Sequence, residues 1–156
     1  MRVFLDTGVL LRLFERLDPN YSDVRAVLKL LWARGDEFVI TPQNAVEFWN
    51  VSTRPATARG GFGHSMAKTR TRLMAIERIC SVLPETPAIF VEWKRLVVAH
   101  SIIGVSVHDA RIVAQMTVWK VGTIVTLNPA DFHRFPGIVV QTPSQLLSSG
   151  AVIRFV

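Results

Sequence analysis

The chain has 156 residues, of which 49% are hydrophobic, and its formal net charge is +6, from 18 Lys+Arg against 12 Asp+Glu. This length suits one domain with a sizeable core, predicted to span residues 1–156, and the apolar content excludes a disordered chain. A single cysteine, Cys80, excludes an internal disulfide and a cysteine-rich zinc site, which fits a reducing compartment such as the cytoplasm. The positive balance favours a polyanionic partner, either nucleic acid or an acidic protein segment.

The sequence predicts no membrane segment. Asp6 interrupts the first apolar run too early for a secretory signal. No apolar run approaches the ~20 residues that a membrane-spanning helix requires. We therefore expect a cytoplasmic protein that does not contact the membrane.

Short apolar runs alternate with stretches of helical periodicity along the chain. Strands are predicted over residues 2–5, 38–40, 81–83, 123–126 and 138–140. Helices are predicted over residues 7–16, 20–34, 42–52, 65–79, 86–100, 107–119 and 143–149, and the glycine-rich residues 55–64 are predicted as a flexible loop. The strands are apolar on both faces, which predicts an α/β domain with a parallel sheet covered by helices on both sides.

Four isolated acidic residues in apolar surroundings lie near the ends of predicted strands. Asp6 follows the first strand directly, and Glu47 lies about two turns into the helix after the second. Asp109 begins the helix before the fourth strand, and Asn128 and Asp131 follow that strand. Because ligands of open parallel sheets bind outside the carboxyl ends of the strands, we expect these side chains to converge there.

Converging carboxylates repel one another, and hard divalent cations relieve that repulsion. Mg²⁺ prefers oxygen ligands, keeps several waters and bridges to phosphate oxygens. Two such ions ~3.5–4 Å apart can activate a water and stabilise the leaving oxygen of a phosphodiester. The four acids therefore favour a metal-dependent nuclease.

Each acid taken alone also has a structural explanation. Asp6 could cap the helix that follows it, and Glu47 could be neutralised by an arginine or face solvent. The segment Ser106–Asp109 has the form of a helix capping box. Asp131 could cap a short helix or pair with Arg134. The set is stronger than its members because the order of strands and helices brings all four to one edge.

Four segments, in order along the chain, resemble the acid-bearing segments of PIN domains. They are Val3–Thr7 followed by Val9–Leu11, Thr41–Val51 followed by Thr53–Pro55, Val107–Ala114, and Val125–Phe132. The second is similar to a version common in bacterial VapC-type toxins of type II toxin–antitoxin systems. The resemblance extends over roughly residues 2 to 140.

The resemblance implies a three-layer α/β/α sandwich with a five-stranded parallel sheet. It implies an endoribonuclease that depends on Mg²⁺ or Mn²⁺, that often forms homodimers, and whose cognate antitoxin covers the active site. Carried over by position, the metal-site acids are Asp6, Glu47 and Asp109. Asn128 and Asp131 share the fourth position, and we retain both as candidate catalytic residues.

Four further residues are candidate substrate contacts. Thr7 and Thr126 match positions at which hydroxyl or backbone groups often assist. Arg54 and Arg59 belong to a basic segment without acids between Phe48 and Ile76 and are expected to hold phosphates, with an affinity that weakens with salt. The other cations of that segment, Lys68, Arg70 and Arg72, fit either this role or a solvated helix face.

Two other kinds of function remain as alternatives. One is a PIN-like module that binds RNA or a protein partner without cutting, which Gly8 keeps open because many members of the family carry a polar residue at that position. The other is a phosphoryl-transfer or nucleotide-binding domain, which the sequence disfavours. A dehalogenase-like phosphatase needs a second aspartate where Gly8 stands, and the glycines at residues 60–63 follow a helix, not a first strand.

Overall fold

The structure is a computed structural model that describes residues 1–149, so residues 150–156 of the predicted domain lie outside the described part. The strands are β1 Arg2–Leu5, β2 Glu37–Ile40, β3 Cys80–Val82, β4 Thr123–Val125 and β5 Val139–Gln141. The α-helices are α1 Thr7–Arg12, α2 Tyr21–Ala33, α3 Pro42–Thr53, α4 Met66–Ile79, α5 Pro87–Ala99, α6 Val107–Val118 and α7 Pro143–Ser148. Short 3-10 helices cover Gly104–Ser106 and Pro129–Asp131. None of these helices is both long and apolar enough to cross a bilayer.

The five strands form one parallel sheet in the order β3-β2-β1-β4-β5. Val3 of the central strand β1 pairs with Phe38 of β2 on one side and with Thr123 of β4 on the other. Because all the strands are parallel, their carboxyl ends lie along one edge of the sheet. The predicted parallel α/β sheet is confirmed.

Side chains of the sheet alternate between two cores. Val3 and Leu5 of β1 pack into one core with residues of α1, α2 and α3, whereas Phe4 packs into a second core with residues of α5 and α6. This period-two alternation is the reason that an apolar strand needs helices on both sides. The result is the expected three-layer α/β/α sandwich.

Helix α1 ends at Arg12, four residues before the predicted end. The chain turns there because Asp18 gathers three hydrogen bonds. Its Oδ1 accepts from the backbone N–H and the Nδ2 of Asn20 at 2.8 and 3.1 Å, and its Oδ2 accepts from Nε of Arg12 at 3.1 Å. Such aspartate-centred turns compete locally with helix.

The glycine-rich loop at residues 55–64 is packed against the end of α3, contrary to the predicted flexibility. Its backbone N–H groups at Phe62, Gly63 and His64 donate to the carbonyls of Val51, Arg54 and Ser52 at 2.8 to 3.1 Å. A Cβ on Gly61 would lie 2.3 Å from the carbonyl oxygen of Pro55, so only glycine fits this approach. Gly61 therefore serves close packing.

Candidate active site

Asp6 lies where β1 ends, at the centre of the sheet edge. Its backbone N–H donates to the carbonyl of Val125 at 3.0 Å, and its Oδ2 accepts a hydrogen bond from Oγ1 of Thr126 at 2.7 Å. Asp6 holds the N-cap position of α1, yet its side chain makes no capping hydrogen bond. Helix capping therefore does not explain this carboxylate.

Glu47 reaches the same edge from α3. That helix begins directly after β2, where Thr41 and Asn44 form a capping box and Pro42 occupies the first turn. Oε2 of Glu47 accepts from Oγ1 of Thr7 at 2.8 Å. Thr7 in turn accepts from Nδ2 of Asn44 at 3.2 Å. The carboxylate is thus held by neutral donors and is not neutralised by an arginine.

Gln43 completes the set of contacts around Glu47. Its Nε2 donates to Oε1 of Glu47 at 2.8 Å and to the carbonyl of His108 at 3.1 Å, and its Oε1 accepts from Nη1 of Arg111 at 2.8 Å. This amide therefore joins α3 to the first turns of α6. The role of Gln43 was not predicted from the sequence, although Gln43 precedes Glu47 by four residues and so shares its helix face.

Asp109 lies in the first turn of α6 without a hydrogen-bond or ion-pair partner in the described chain. The proposed capping box does not form, since Ser106 is helical in its backbone angles and its side chain caps nothing. The carboxylate of Asp131, exposed at the end of the second 3-10 helix, is also unpartnered there and makes no ion pair with Arg134. Both structural explanations therefore fail.

The acids influence one another electrostatically. Burial, together with the negative charges of Asp131 and Asp6, raises the pKa of Asp109 to about 7. Glu47 adds to this shift and Arg134 opposes it. Burial also raises the pKa of Asp6, against the hydrogen bond from Thr126. The edge thus carries negative charges that the described residues do not compensate.

The donor set fits a hydrated hard cation. Oxygen ligands are those that Mg²⁺ and Mn²⁺ prefer, and the mutual repulsion raising the pKa of Asp109 is the kind that a cation relieves. Among residues 1–149, no three Asp, Glu, His or Cys side chains are grouped closely enough to hold a metal ion by themselves. A cation that keeps several of its own waters, as Mg²⁺ does, needs fewer protein ligands.

At the fourth position, the structure distinguishes the two candidates. Asp131 contributes charge to the cluster, because it raises the pKa of both Asp6 and Asp109. Asn128 acts through its backbone, whose N–H donates to Oγ1 of Thr126 at 3.0 Å. The side chain of Asn128 is exposed and has no hydrogen-bond partner in residues 1–149.

The four residues predicted as substrate contacts lie in two different settings. Thr7 and Thr126 are buried and donate their hydroxyl protons to the acids, so they position carboxylates. Arg54 follows the last turn of α3, about 10 Å along the helix axis from Glu47. Its Nη1 donates to the carbonyl of Arg59 at 3.0 Å, and no contact joins either arginine to the acids of the described chain.

The basic helix α4 contributes to a second charged group, here called the Glu15 cluster, made of Glu15, His64, Lys68 and Arg72. The carboxylate of Glu15 contacts the guanidinium of Arg72 and lies 2.6 Å from Nε2 of His64. Nζ of Lys68 lies 3.2 Å from Nδ1 of the same imidazole. Arg72 is therefore a structural residue, whereas Arg70 is exposed.

A family model describing the PIN domain matches residues 3–137, a range that includes all the acids of the site. The chain belongs to the PIN domain family. A search of curated proteins finds no significant match.

Solved structures give the same fold for this PIN domain. A chain of VapBC2 from Rickettsia felis, in a complex with a promoter DNA fragment, superposes with a TM-score of 0.68 at 16% identity, covering 91% of this chain and 98% of that one. A chain of DNA-bound VapBC from Salmonella typhimurium gives 0.65 at 14% identity, covering 92% and 98%. The Mycobacterium tuberculosis toxin VapC20, which cleaves the Sarcin–Ricin loop, gives 0.58 at 20% identity, covering 78% and 86%. At these identities the likeness concerns the fold.

Proposed function

We propose that this PIN domain is a divalent-metal-dependent endoribonuclease and the toxin of a toxin–antitoxin pair. The observation that carries the proposal is the group of acids at the sheet edge, where burial and the neighbouring acids raise the pKa of Asp109 to about 7 and where no cation of residues 1–149 forms an ion pair with it. Such a group is costly for a fold unless it binds a cation. The PIN family is a family of nucleases, which supplies the reaction class.

Each acid has its own place in the proposed site. Asp6, Glu47 and Asp109 hold Mg²⁺ or Mn²⁺, directly or through water, and Asp131 lies at the fourth position. A bound divalent ion supplies Lewis acidity at a phosphate and makes a nearby water more acidic. The hydroxyls of Thr126 and Thr7 keep two of the carboxylates oriented, which preserves their geometry as substrate arrives.

Arg134 is our candidate for the phosphate contact nearest the acids. It is exposed, makes no ion pair with the described residues, and its charge acts on Asp109. Arg54 and Arg59 remain candidates for phosphates further along the strand. Contacts of this kind give RNA affinity that falls steeply as salt rises.

A protein partner and a second copy of the chain belong to the same proposal. The structural neighbours from Rickettsia felis and Salmonella typhimurium are VapBC structures, which supports a cognate antitoxin. Exposed apolar side chains on α5, namely Phe90, Val91 and Val98, supply surface for an antitoxin or for a homodimer. An RNA substrate places the protein in the cytoplasm.

Cleavage of total RNA by the purified protein tests the proposal. We expect fragments with Mg²⁺ or Mn²⁺, none with chelator, and none from the Asp6→Asn variant, which keeps the shape of the side chain. Asp23→Asn, on α2 and outside the site, is the matched control and should cut normally. Cleavage by Asp6→Asn at the wild-type rate would refute the assignment.

The alternative is a module that binds RNA without cutting. The position of Gly8 beside Asp6 favours it, because no side chain there can hydrogen-bond to the carboxylate. RNA binding with intact metal binding, but without fragments at any metal concentration, would support this alternative.

A further inference from the structure

A cleft of about 680 Å³ is lined by residues of α3 and α6 together with Glu85. Pro42 and Val46 supply apolar walls, whereas Glu85 and Arg111 supply charged groups. Gln43 and Glu47 belong to this cleft and also to the candidate active site, so an occupant of the cleft lies directly beside the acids. Its size falls within the range of small-molecule pockets.

The charge of the cleft disfavours a phosphate as its occupant. Its formally charged lining groups are two carboxylates, from Glu47 and Glu85, and one guanidinium, from Arg111, and the imidazole of His108 lies beside them. A phosphate would meet a net negative surface there. A neutral base with hydrogen-bonding edges and apolar faces suits such walls better, and protein sites that recognise single-stranded RNA commonly take up unstacked bases in this way.

Glu85 and Arg111 form an ion pair that buried glutamine side chains hold in position. Nη2 of Arg111 lies 3.0 Å from Oε1 of Glu85. The same Oε1 accepts from Nε2 of the buried Gln115 at 3.0 Å, and Nη1 of Arg111 donates to the buried Gln43 at 2.8 Å. Anchors of this kind preorganise a charged pair for a ligand.

Both members of the pair keep hydrogen-bonding capacity. Oε2 of Glu85 accepts no hydrogen bond from residues 1–149, and the contacts of Arg111 use at most two of its five N–H groups. Side-chain exposures of 41% and 37% leave both groups accessible. The cleft thus presents an acceptor next to several donors.

We propose that this cleft is a nucleobase subsite in which Glu85 and Arg111 select guanine. Guanine offers two adjacent donors, N1–H and N2–H, to a carboxylate, and two acceptors, O6 and N7, to an arginine. The strand would run with its phosphates at the acids and one base in the cleft. This inference rests on the proposed function, since it names a base next to the cleaved bond.

Nucleotide titrations followed by methyl NMR test the subsite without metal or cleavage. GMP and IMP differ only in the N2 amino group, so their comparison isolates one donor to Glu85. We expect GMP to shift the methyl signals of Val46 with a Kd about fivefold below that of IMP, AMP or UMP. Val91 on α5, outside the cleft, should not move.

Two variants test whether Glu85 and Arg111 are responsible for the preference for guanine. Glu85→Gln should remove the preference for GMP over IMP. Arg111→Met should weaken GMP and IMP, which share O6 and N7, more than UMP, which lacks N7. Glu92→Gln is the matched control, because Glu92 forms an exposed ion pair with Arg95 on α5. It should leave both Kd values unchanged.

Several outcomes would overturn the subsite. Equal Kd values for the four nucleotides, or an unmoved Val46, would do so even if the protein cuts RNA. Shifts caused by N-acetylarginine amide and by no nucleotide would assign the cleft to a protein partner. Conversely, a guanine preference in a protein that cleaves no RNA would support the subsite and contradict the proposed nuclease activity.

Discussion

The acids at the sheet edge and the Glu15 cluster are two charged groups that differ in whether their negative charges have cationic partners. Glu15 contacts both His64 and Arg72, so its negative charge is compensated within the protein. Asp109 faces further acids, and no cation forms an ion pair with it in the described chain. The charge of Glu15 is balanced within the described chain, whereas the proposed function has a bound cation balance the charges at the sheet edge.

The pKa values express this difference. Burial would raise the pKa of Glu15, but hydrogen bonds from His64 and Arg72 outweigh it and hold that pKa below its ordinary value. At Asp109 burial and neighbouring acids act together, and the pKa rises to about 7. A lowered pKa marks a carboxylate that stabilises the fold, and a raised one marks a carboxylate kept against stability, as binding sites often require.

Asp109→Asn should produce the largest effect on activity. Removing the charge takes one oxygen ligand from the proposed ion, and we expect RNA cleavage to fall roughly a thousandfold. The same change relieves repulsion, so the metal-free variant should unfold at a temperature about 3 °C higher, a gain of about 1 kcal/mol after solvent screening. Reduced activity with reduced stability would indicate damage to the fold instead.

Glu15→Gln should reverse that pattern. It leaves the guanidinium of Arg72 without its anion, and we expect about 2 kcal/mol less stability, below the value for a fully buried pair because Glu15 is partly exposed. Chemical denaturation measures the loss. Cleavage by the folded fraction should match wild type, and a drop in that specific activity would place the Glu15 cluster in the active site.

The contrast between the clusters also marks what the sequence could predict. Asp6, Glu47 and Asp109 are isolated acids in apolar surroundings, and strands alternate with helices around them. These two features were enough to predict that the acids lie at one edge of the sheet. Periodicity reports which face of an element is buried. It therefore predicted a parallel sheet with helices on both faces, but not the order of the strands.

Partners distant in the chain were not predictable in the same way. Thr126 meets Asp6 across 120 positions and Thr7 meets Glu47 across 40, so both were interpreted as substrate contacts. Arg72 fitted a basic surface until Glu15, 57 positions away, came into contact with it. The loop at residues 55–64 looked flexible because glycine serves both mobility and the close packing found at Gly61.

Gln43→Met tests a residue that orients the acids at the sheet edge. Methionine keeps the length of the side chain but removes the donor to Glu47 and the acceptor for Arg111. We expect Mn²⁺ affinity, measured by calorimetry, to fall about tenfold, as for other residues that orient metal ligands. Gln145→Met, in the capping box of α7, is the control and should leave the affinity unchanged.

The pH dependence of metal-free stability should also separate the two groups. Because the folded pKa of Asp109 is about 7 and its unfolded value is 3.8, the folded state binds the extra proton between these values. Stability should therefore fall by about 1 kcal/mol as pH rises from 5 to 8. Asp109→Asn should reduce this slope in thermal unfolding without abolishing it, because the pKa of Asp6 is raised as well. An unchanged slope would mean that Asp109 does not contribute to it.

The smallest expected effect concerns Gly8. A Cβ there would lie 3.7 Å from Oδ2 of Asp6 and 4.0 Å from Cδ1 of Leu127, which is ordinary contact. Gly8→Ser therefore fits, and its hydroxyl can donate to Asp6, favouring the ionised form and tightening Mn²⁺ binding about two- to threefold. Gly8→Ala gains at least as much helical preference as serine but lacks the hydroxyl, and it should bind Mn²⁺ like wild type. If alanine tightened binding as much as serine, a stiffer α1 would be the cause, and the absence of a hydrogen bond at Gly8 would no longer favour the non-cutting module.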